Sequence, residues 1–319
     1  MFALKTIKKW AIRIAIGAAT LVILTGIGIT AGFAYWKSQH VKSLESNSEI
    51  IATAHGDIEV AIRGQGTPQL FIHGRPGGYD QSLIGWKVFP EFYADRRLIA
   101  ISRPGYLRTP VTSGKSPADQ ADLYAALMDS LGIDKTIVYA ASGGGPSGLQ
   151  FALRYPERVQ GLILVVPLLQ AKGVGTEFNP PSSTENLLQE MLTWLLGKRL
   201  ITSIIPAIDL NDPIQKQLAE ALIDTSLPGD RRIAGIANDH PHFQKLDVDS
   251  WNLEGLTVPT LIIHGTADEN APYEGSKKAA ERLPNAKLIT FPGDDHYVVI
   301  TKIQEINQHV GQFISSLGD

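Results

Sequence analysis

The hydrophobic pattern divides the chain into two parts. The first is an uncharged, largely apolar run over residues 14–36. The second begins near Glu49, where short apolar runs typical of strands alternate with segments whose apolar residues recur at helical spacing. This alternation predicts a mainly parallel sheet with helices on both faces. The predicted strands are 49–53 with its antiparallel partner 57–63, then 69–72, 97–102, 136–140, 161–166, 260–263 and 287–291, and the predicted helices are 116–131, 146–155, 273–283 and 301–317.

The alternation of strands with helices is interrupted between residues 167 and 256. Helical stretches such as 185–196 and 213–223 replace it, separated by prolines and glycines. We therefore predict a helical cap inserted into the α/β domain at about 167–256. Its large apolar side chains either line a pocket or form the cap's own core, and these are Trp194, Leu195, Leu196, Phe243 and Trp251.

The uncharged N-terminal run has the length of a membrane span. At 1.5 Å per residue, residues 14–36 form a helix of about 34 Å, which exceeds the roughly 30 Å of a bilayer core. Four cations precede the run within residues 1–13, whereas only Lys37 and Lys42 follow closely. The positive-inside rule then predicts a cytoplasmic N-terminus, a transmembrane signal-anchor helix and a non-cytoplasmic location for the rest of the chain. Residues 37–48 are polar and are expected to form a short tether to the domain at 49–319.

A cleaved signal peptide is the alternative interpretation of the same segment. Residues 32–34, Gly-Phe-Ala, offer small side chains at the spacing of a cleavage site. The apolar run is longer than the usual signal-peptide core of roughly 7–15 residues, which favours a retained anchor. Cleavage would instead release a secreted protein.

The amino-acid composition excludes several classes of function. The 319 residues, 44% of them hydrophobic, suffice for one sizeable α/β domain with an insertion. The formal net charge of −3 provides no basic field for nucleic acid. Absence of cysteine excludes disulfides, thiolate catalysis and cysteine-ligated zinc. The paired imidazoles in Asp-His-Pro-His at 239–242 have no further ligands nearby, so we expect polar surface residues in a cap loop and no metal site.

Residues 140–146, Ala-Ala-Ser-Gly-Gly-Gly-Pro, place Ser142 where an apolar strand gives way to a helix. A nucleophile on such a tight turn has strained backbone geometry, so the residues two before and two after it must be small. Ala140 and Gly144 meet that requirement. The helix N-terminus adds free N–H groups that favour developing negative charge. A glycine-rich turn with a capping serine would have the same sequence.

Three further motifs follow predicted strands. Residues 71–78, Phe-Ile-His-Gly-Arg-Pro-Gly-Gly, end a strand in a loop of small residues that lets the backbone approach a substrate oxygen, although His-Gly by itself also fits an ordinary turn. Residues 263–268, Ile-His-Gly-Thr-Ala-Asp, end in an acid. Residues 291–296, Phe-Pro-Gly-Asp-Asp-His, end in a histidine.

Together these four motifs resemble the α/β-hydrolase superfamily, over about residues 49–318 apart from the cap. The order Ser, Asp, His is the one found in that superfamily. The resemblance implies Ser142 as nucleophile, His296 as general base and Asp268 as the acid that orients the histidine. It also implies an oxyanion hole formed by the backbone N–H groups of Arg75 and Gly143. The implied fold is an α/β-hydrolase sheet with an inserted cap, preceded here by a transmembrane helix.

Several assignments stay open at this level. Asp294 and Asp295 adjoin the histidine and are alternatives for the acid, although sequence neighbours seldom face the imidazole Nδ1. The Arg75 guanidinium either meets a substrate carboxylate or points to solvent. We expect a cis Arg75–Pro76 bond. The turn 102–106, Ser-Arg-Pro-Gly-Tyr, is interpreted as structural, with its tyrosine bordering the pocket.

The expected reaction is hydrolysis of an ester or related acyl bond in a small-molecule substrate, without a cofactor. A serine nucleophile excludes the haloalkane dehalogenases and epoxide hydrolases of the superfamily, which use aspartate at that position. The His-Gly-Arg-Pro-Gly-Gly loop is similar to that of proline iminopeptidases, but the glycines and proline after Ser142 replace that family's bulky aromatic residue. An iminopeptidase-like exopeptidase and a non-catalytic ligand-binding module are the alternatives.

Overall fold

The computed structural model describes residues 2–171 and 178–318. Residues 172–177, which belong to the predicted cap, lie outside the described residues. The chain forms two compact units, residues 1–45 and residues 46–319. Each unit is therefore described by itself.

The N-terminal unit is a single helix, α1, whose bounds are Phe2–Ser46. Its stretch Lys9–Ser46 is long and apolar enough to cross a membrane, a property that signal sequences near an N-terminus share. The polar segment 37–48, expected as a tether, is instead helical as far as Ser46. Because residues 37–46 contain neither proline nor glycine, nothing in their sequence ends the helix.

In the described part of the second unit, eight strands form one sheet in the order β1-β2-β4-β3-β5-β6-β7-β8. The β1–β2 and β2–β4 pairs are antiparallel, and every pair from β4 through β8 is parallel. The predicted mainly parallel sheet is thus confirmed. The strands are β1 Glu49–Thr53, β2 Gly56–Arg63, β3 Thr67–Ile72, β4 Arg96–Ile101, β5 Thr136–Ala141, β6 Val159–Val165, β7 Thr260–Gly265 and β8 Ala286–Phe291.

The helices that follow α1 lie within the second unit and include the four predicted from apolar spacing. Within the described residues they are α2 Tyr79–Ser82, α3 Ile84–Val88, α4 Pro117–Ser130, α5 Gly145–Arg154, α6 Ser183–Leu196, α7 Ile201–Ile204, α8 Pro213–Asp224, α9 Ile233–Gln244, α10 Tyr273–Arg282, α11 Val298–Thr301 and α12 Ile303–Ser316.

The core has two layers, one on each face of the sheet. Strand β6 shows the division, because Leu162 and Leu164 pack in the layer that contains side chains of α4, α5 and α10. The alternate residues Ile163 and Val165 pack in the layer that contains side chains of α12. A strand covered on both faces is apolar at consecutive positions. This arrangement confirms helices on both faces.

Helices α6–α9 form the cap between β6 and β7, as predicted. Phe243 and Trp251 are half-buried against a small apolar cluster of Leu168, Leu246 and Ala271. Leu195, which the sequence offered as a pocket or core residue, is 40% exposed on α6. Apolar character alone therefore did not identify the buried side of this helix.

Candidate active site

Ser142 occupies a strained turn between β5 and α5. Its φ of +48° lies in the left-handed region, which side-chain-bearing residues rarely adopt. A short 3₁₀ turn, Ser142–Gly144, connects it to α5. A Cβ on Gly144 would lie 2.6 Å from the His73 carbonyl oxygen, so this position accepts only glycine. The turn has the geometry that holds a nucleophile at a sheet edge.

The loop after β3 lies directly beside this turn. A Cβ on Gly74 would be 3.1 Å from the Ser142 Cβ, and a Cβ on Gly143 would be 3.5 Å from the Arg75 Cβ. The structure therefore places both predicted oxyanion donors, Arg75 and Gly143, next to each other at Ser142. The Arg75–Pro76 bond is cis, as expected. The Arg75 side chain is exposed, and its guanidinium lies 5.9 Å from the centre of the Phe178 ring.

His73 fixes the start of this loop. Its Nδ1 donates to the Gly74 carbonyl oxygen at 2.6 Å, and its Nε2 accepts the Arg103 backbone N–H at 2.9 Å. Burial, reinforced by the Arg103 guanidinium, lowers the pKa of His73 well below its usual value. The His73 ring is therefore neutral, and it supports the loop through these two hydrogen bonds.

Asp268 and His296 meet where the loops after β7 and β8 come together. The His296 Nδ1 donates to Asp268 Oδ2 at 2.6 Å. The Asp268 Oδ1 accepts the backbone N–H groups of Asn270 and Ala271, each at 2.8 Å. Burial by itself raises the pKa of Asp268, but hydrogen bonds from His264 and His296 outweigh it and hold that pKa below its usual value. The carboxylate is therefore ionised and directed at the imidazole.

The two other acids near His296 have different surroundings. The Asp295 carboxylate accepts the backbone N–H of Tyr297 at 2.8 Å. Asp294 contributes its backbone oxygen, which accepts the Ala267 N–H at 2.9 Å. Within the described residues, the carboxylate bonded to the His296 ring is that of Asp268.

Ser142 and His296 lie at the same edge of the sheet, since β5 and β8 run parallel and each residue follows its strand. Among the described residues, no hydrogen bond joins the Ser142 Oγ to the His296 ring. The contact between a nucleophile and its base often tightens only when substrate binds. The structure thus brings together Asp268 with His296, and Ser142 with the predicted oxyanion donors, at one edge.

Comparison with known proteins agrees with this architecture. The model of the family with the α/β-hydrolase fold matches residues 68–303. The chain belongs to the α/β-hydrolase family. It is 28% identical to a bifunctional esterase/perhydrolase of Acinetobacter calcoaceticus, over 78% of this chain and 92% of that protein. It is 27% identical to a 2-hydroxy-6-oxononadienedioate/2-hydroxy-6-oxononatrienedioate hydrolase of Comamonas testosteroni, over 79% of this chain and 89% of that protein.

A solved structure shares the fold. The α/β-hydrolase fold protein from Nakamurella multipartita is 28% identical, with a TM-score of 0.71, over 83% of this chain and 98% of that chain. Family membership and the hydrolase relatives identify the chain as an enzyme of the α/β-hydrolase type, a hydrolase.

The expectation that residues 239–242 form a polar surface loop of the cap was wrong. These residues belong to helix α9, and Asp239 is only 2% exposed. Its carboxylate accepts hydrogen bonds from both terminal nitrogens of Arg103, at 2.8 and 2.6 Å, and from the Tyr106 hydroxyl at 2.6 Å. Tyr106 is fully buried in this contact. No group of three or more potential metal-ligating side chains occurs in the described residues.

The Arg103–Asp239 ion pair ties the cap to the loop after β4, in which Arg103 lies. Arg103 also donates to His73 through its backbone N–H, so one residue joins α9 to the start of the loop after β3. A second buried pair, Arg232 with Asp80 at 2.8 Å, joins the residue before α9 to helix α2. Sequence reasoning missed both pairs, because nothing near either acid along the chain indicates its partner.

We expect Asp239→Asn to lower the free energy of unfolding by about 3–5 kcal/mol, because it leaves the buried Arg103 guanidinium without its counter-charge. Asp224→Asn is the matched control. Its pair with Lys198 is about half exposed, so its loss should cost about 0–1 kcal/mol. Urea unfolding of both full-length variants in one mild detergent measures the difference. Equal losses would show that the Asp239 contact is not a stabilising anchor.

Proposed function

We propose that this α/β-hydrolase is a serine esterase that cleaves a carboxylic ester or related acyl bond through an acyl-enzyme intermediate. The observation that carries the proposal is the 2.6 Å hydrogen bond between Asp268 and His296, at the sheet edge where Ser142 occupies a strained turn. Relatives that are esterases or other hydrolases support the same chemistry.

In the proposed reaction, the Ser142 Oγ attacks the ester carbonyl while His296 Nε2 takes its proton. Asp268 keeps the Nδ1–H tautomer and stabilises the imidazolium that forms. The backbone N–H groups of Arg75 and Gly143 stabilise the oxyanion of the tetrahedral intermediate. His296 then returns the proton to the leaving alcohol. Water attacks the acyl-enzyme by the same steps, which releases the acid and restores the serine.

A second candidate is hydrolysis of a carboxylate-bearing dienoate of the kind named for the Comamonas relative. The Arg75 side chain is exposed and its Cβ lies beside Gly143. Its guanidinium favours this candidate, since it can pair with a substrate carboxylate. Among the described residues, no comparable feature favours the exopeptidase or the non-catalytic alternative.

The test combines labelling with a substrate panel. The full-length protein is treated with a fluorophosphonate probe, and Ser142 is expected to carry the label. A chain-length series of p-nitrophenyl esters, a 2-hydroxy-6-oxo-dienoate and a prolyl p-nitroanilide then separate the candidates by kcat/KM. A protein that neither labels nor turns over any member of the panel would contradict the proposed enzyme.

We also propose that helix α1 anchors this enzyme in a membrane, with its N-terminus in the cytoplasm and its catalytic domain on the other side. The uncharged run 14–36 within α1 and the four cations that precede it support this arrangement. A tethered active site suits an amphiphilic ester.

In cells that express the full chain, the protein is expected to remain in the membrane fraction after a carbonate wash, and protease added to spheroplasts should digest the catalytic domain. Leu21→Lys combined with Leu24→Lys is the control variant, because each charge near a helix centre costs about 2.5–3.5 kcal/mol. This variant should no longer be recovered in the membrane fraction. Release of the wild-type protein by carbonate would refute the anchor. A mature N-terminus near Tyr35 would establish a signal peptide. Protection of the catalytic domain from protease would show that the orientation is the reverse of the one proposed.

A further inference from the structure

The Asp268 carboxylate accepts four hydrogen bonds, and one of them comes from a second histidine. Two backbone N–H groups bind Oδ1, as described above. Oδ2 is shared by two imidazoles, with the His296 Nδ1 at 2.6 Å and the His264 Nε2 at 3.0 Å. His264 lies on β7, four residues before Asp268, and is completely buried. The proposed acid of the site is therefore held between the catalytic ring and a ring that is inaccessible to substrate.

The partners of His264 determine which of its nitrogens carries the hydrogen. Nε2 faces Asp268 Oδ2 and the Ala271 carbonyl oxygen, both at 3.0 Å, and both atoms only accept hydrogen bonds. Nε2 must therefore be the N–H. In the neutral ring, Nδ1 then accepts the Ser276 hydroxyl of α10 at 2.7 Å. Asp268 and Ala271 thus select the tautomer in which His264 donates to Asp268, and the Ser276 hydroxyl completes it as the donor to Nδ1.

We propose that His264 is a positioning residue for the triad. It holds Asp268 Oδ2 in the direction of His296 and disperses part of the carboxylate charge. The inference rests on the proposed function, because it assumes that Asp268 orients the catalytic base. Since Oδ1 is already bound by two backbone N–H groups, the His264 bond removes the remaining freedom of the carboxylate to turn away.

The charged and titratable surroundings of this carboxylate are few in the described structure. His264 faces it from β7, and His296 faces it from the loop after β8. Tyr297 lies nearby. The pKa of its hydroxyl is raised mainly by burial, with smaller contributions from the charges of Asp295 and Asp268. Tyr273 of α10 contacts the His264 ring edge-on, with centroids 5.9 Å apart. Removal of His264 therefore leaves Oδ2 with His296 as its single ring donor, and the carboxylate then attracts the proton of the His296 pair more strongly.

Two substitutions separate the contacts at Nε2 of His264 from the contact at Nδ1. His264→Gln places an amide nitrogen near the original Nε2 and keeps a donor for Asp268. His264→Asn reaches only to the position of Nδ1, so it keeps the polar contact with Ser276 and loses the donor. We expect His264→Asn to lower kcat about 10- to 100-fold with KM little changed, the range that loss of a residue orienting a metal ligand produces elsewhere. His264→Gln should recover most of that loss.

The pH profile of kcat/KM on a p-nitrophenyl ester provides the readout that simple loss of packing would not change. The acidic limb of His264→Asn should move to higher pH, because the carboxylate that lost a donor holds the proton of the Asp268–His296 pair more tightly. His264→Gln should keep the wild-type limb. Equal rates and equal limbs for the two variants, or a near-wild-type His264→Asn, would overturn the inference.

If His264→Asn does not fold, as judged by circular dichroism, Ser276→Ala decides. It keeps the imidazole but removes the hydroxyl that donates to Nδ1, and without that donor the Nε2–H is a weaker donor to Asp268. We therefore expect a smaller loss of kcat and a shift of the limb in the same direction. An unchanged profile would overturn the inference. Failure of the proposed function is distinguishable, because the wild-type protein would then show no ester hydrolysis, whereas failure of the inference alone leaves wild-type activity and its dependence on Asp268 intact.

Discussion

Ser142→Ala is expected to abolish ester hydrolysis, with a loss of kcat of roughly 10⁶-fold, because a triad that works as a unit loses nearly all its advantage when the nucleophile is removed. Alanine keeps the Cβ of serine, so the substitution adds no steric demand at φ +48°. The folded state should persist. Stopped assays on p-nitrophenyl esters, with circular dichroism on the same samples, measure the two quantities.

Ser147→Ala is the matched control for this variant. Ser147 is a buried serine in α5 whose hydroxyl donates to the Gly144 carbonyl oxygen and contacts the Tyr124 hydroxyl, both at 3.1 Å. Its loss should cost about 1 kcal/mol of stability while most of the activity remains. If Ser142→Ala keeps most of its activity, or if both variants lose activity equally, Ser142 is not the nucleophile.

Asp268→Asn is expected to lower kcat by about 10⁴-fold, the cost of removing the acid that fixes the tautomer of a catalytic histidine. The reason here is geometric. Oδ2 accepts N–H groups from His264 and His296. An amide nitrogen at that position is itself a donor, so it would face these two N–H groups and accept neither. If the amide turns, its nitrogen instead faces the backbone N–H groups at Oδ1. Neither orientation satisfies the site.

Asp294→Asn and Asp295→Asn are the comparison variants, because these acids lie next to His296 in sequence without a carboxylate bond to its ring in the described structure. Each should keep kcat within a few-fold of the wild-type value, and Asp295→Asn can still accept the Tyr297 N–H through its amide oxygen. Kinetics on the same ester compare all three. A larger loss of kcat in Asp295→Asn than in Asp268→Asn would show that Asp268 is not the acid of the triad.

The lowered pKa of Asp268 also predicts the sign of its effect on stability. A carboxyl whose pKa is lower in the folded state stabilises the fold fully above its unfolded pKa of about 3.9, and this stabilisation is lost as the pH falls through the folded value. Its contribution is therefore present throughout the neutral range. The loss in Asp268→Asn should include some stability at pH 7 as well as activity.

The sequence by itself determined the sheet and the places where its strands end. The strained turn at Ser142 requires small neighbours, the loop at Gly74 requires close backbone approach, and the acid and histidine follow apolar strands. All of these demands act within a few residues along the chain. Local sequence therefore contains the signal for them, and the predicted strands 136–140 and 260–263 differ from β5 and β7 by one or two residues.

Only the tertiary structure decided which charged and polar groups meet. Asp239 was interpreted as a surface residue, yet it is buried against Arg103, 136 positions away along the chain. His264 belongs to the motif at 263–268, and sequence reasoning gave it no role, although a histidine inside a buried apolar strand indicates that it needs a partner. The partner of a buried polar group depends on which surfaces pack together, and that packing is set by the whole core. Backbone preferences are local, whereas pairing of buried charge is not.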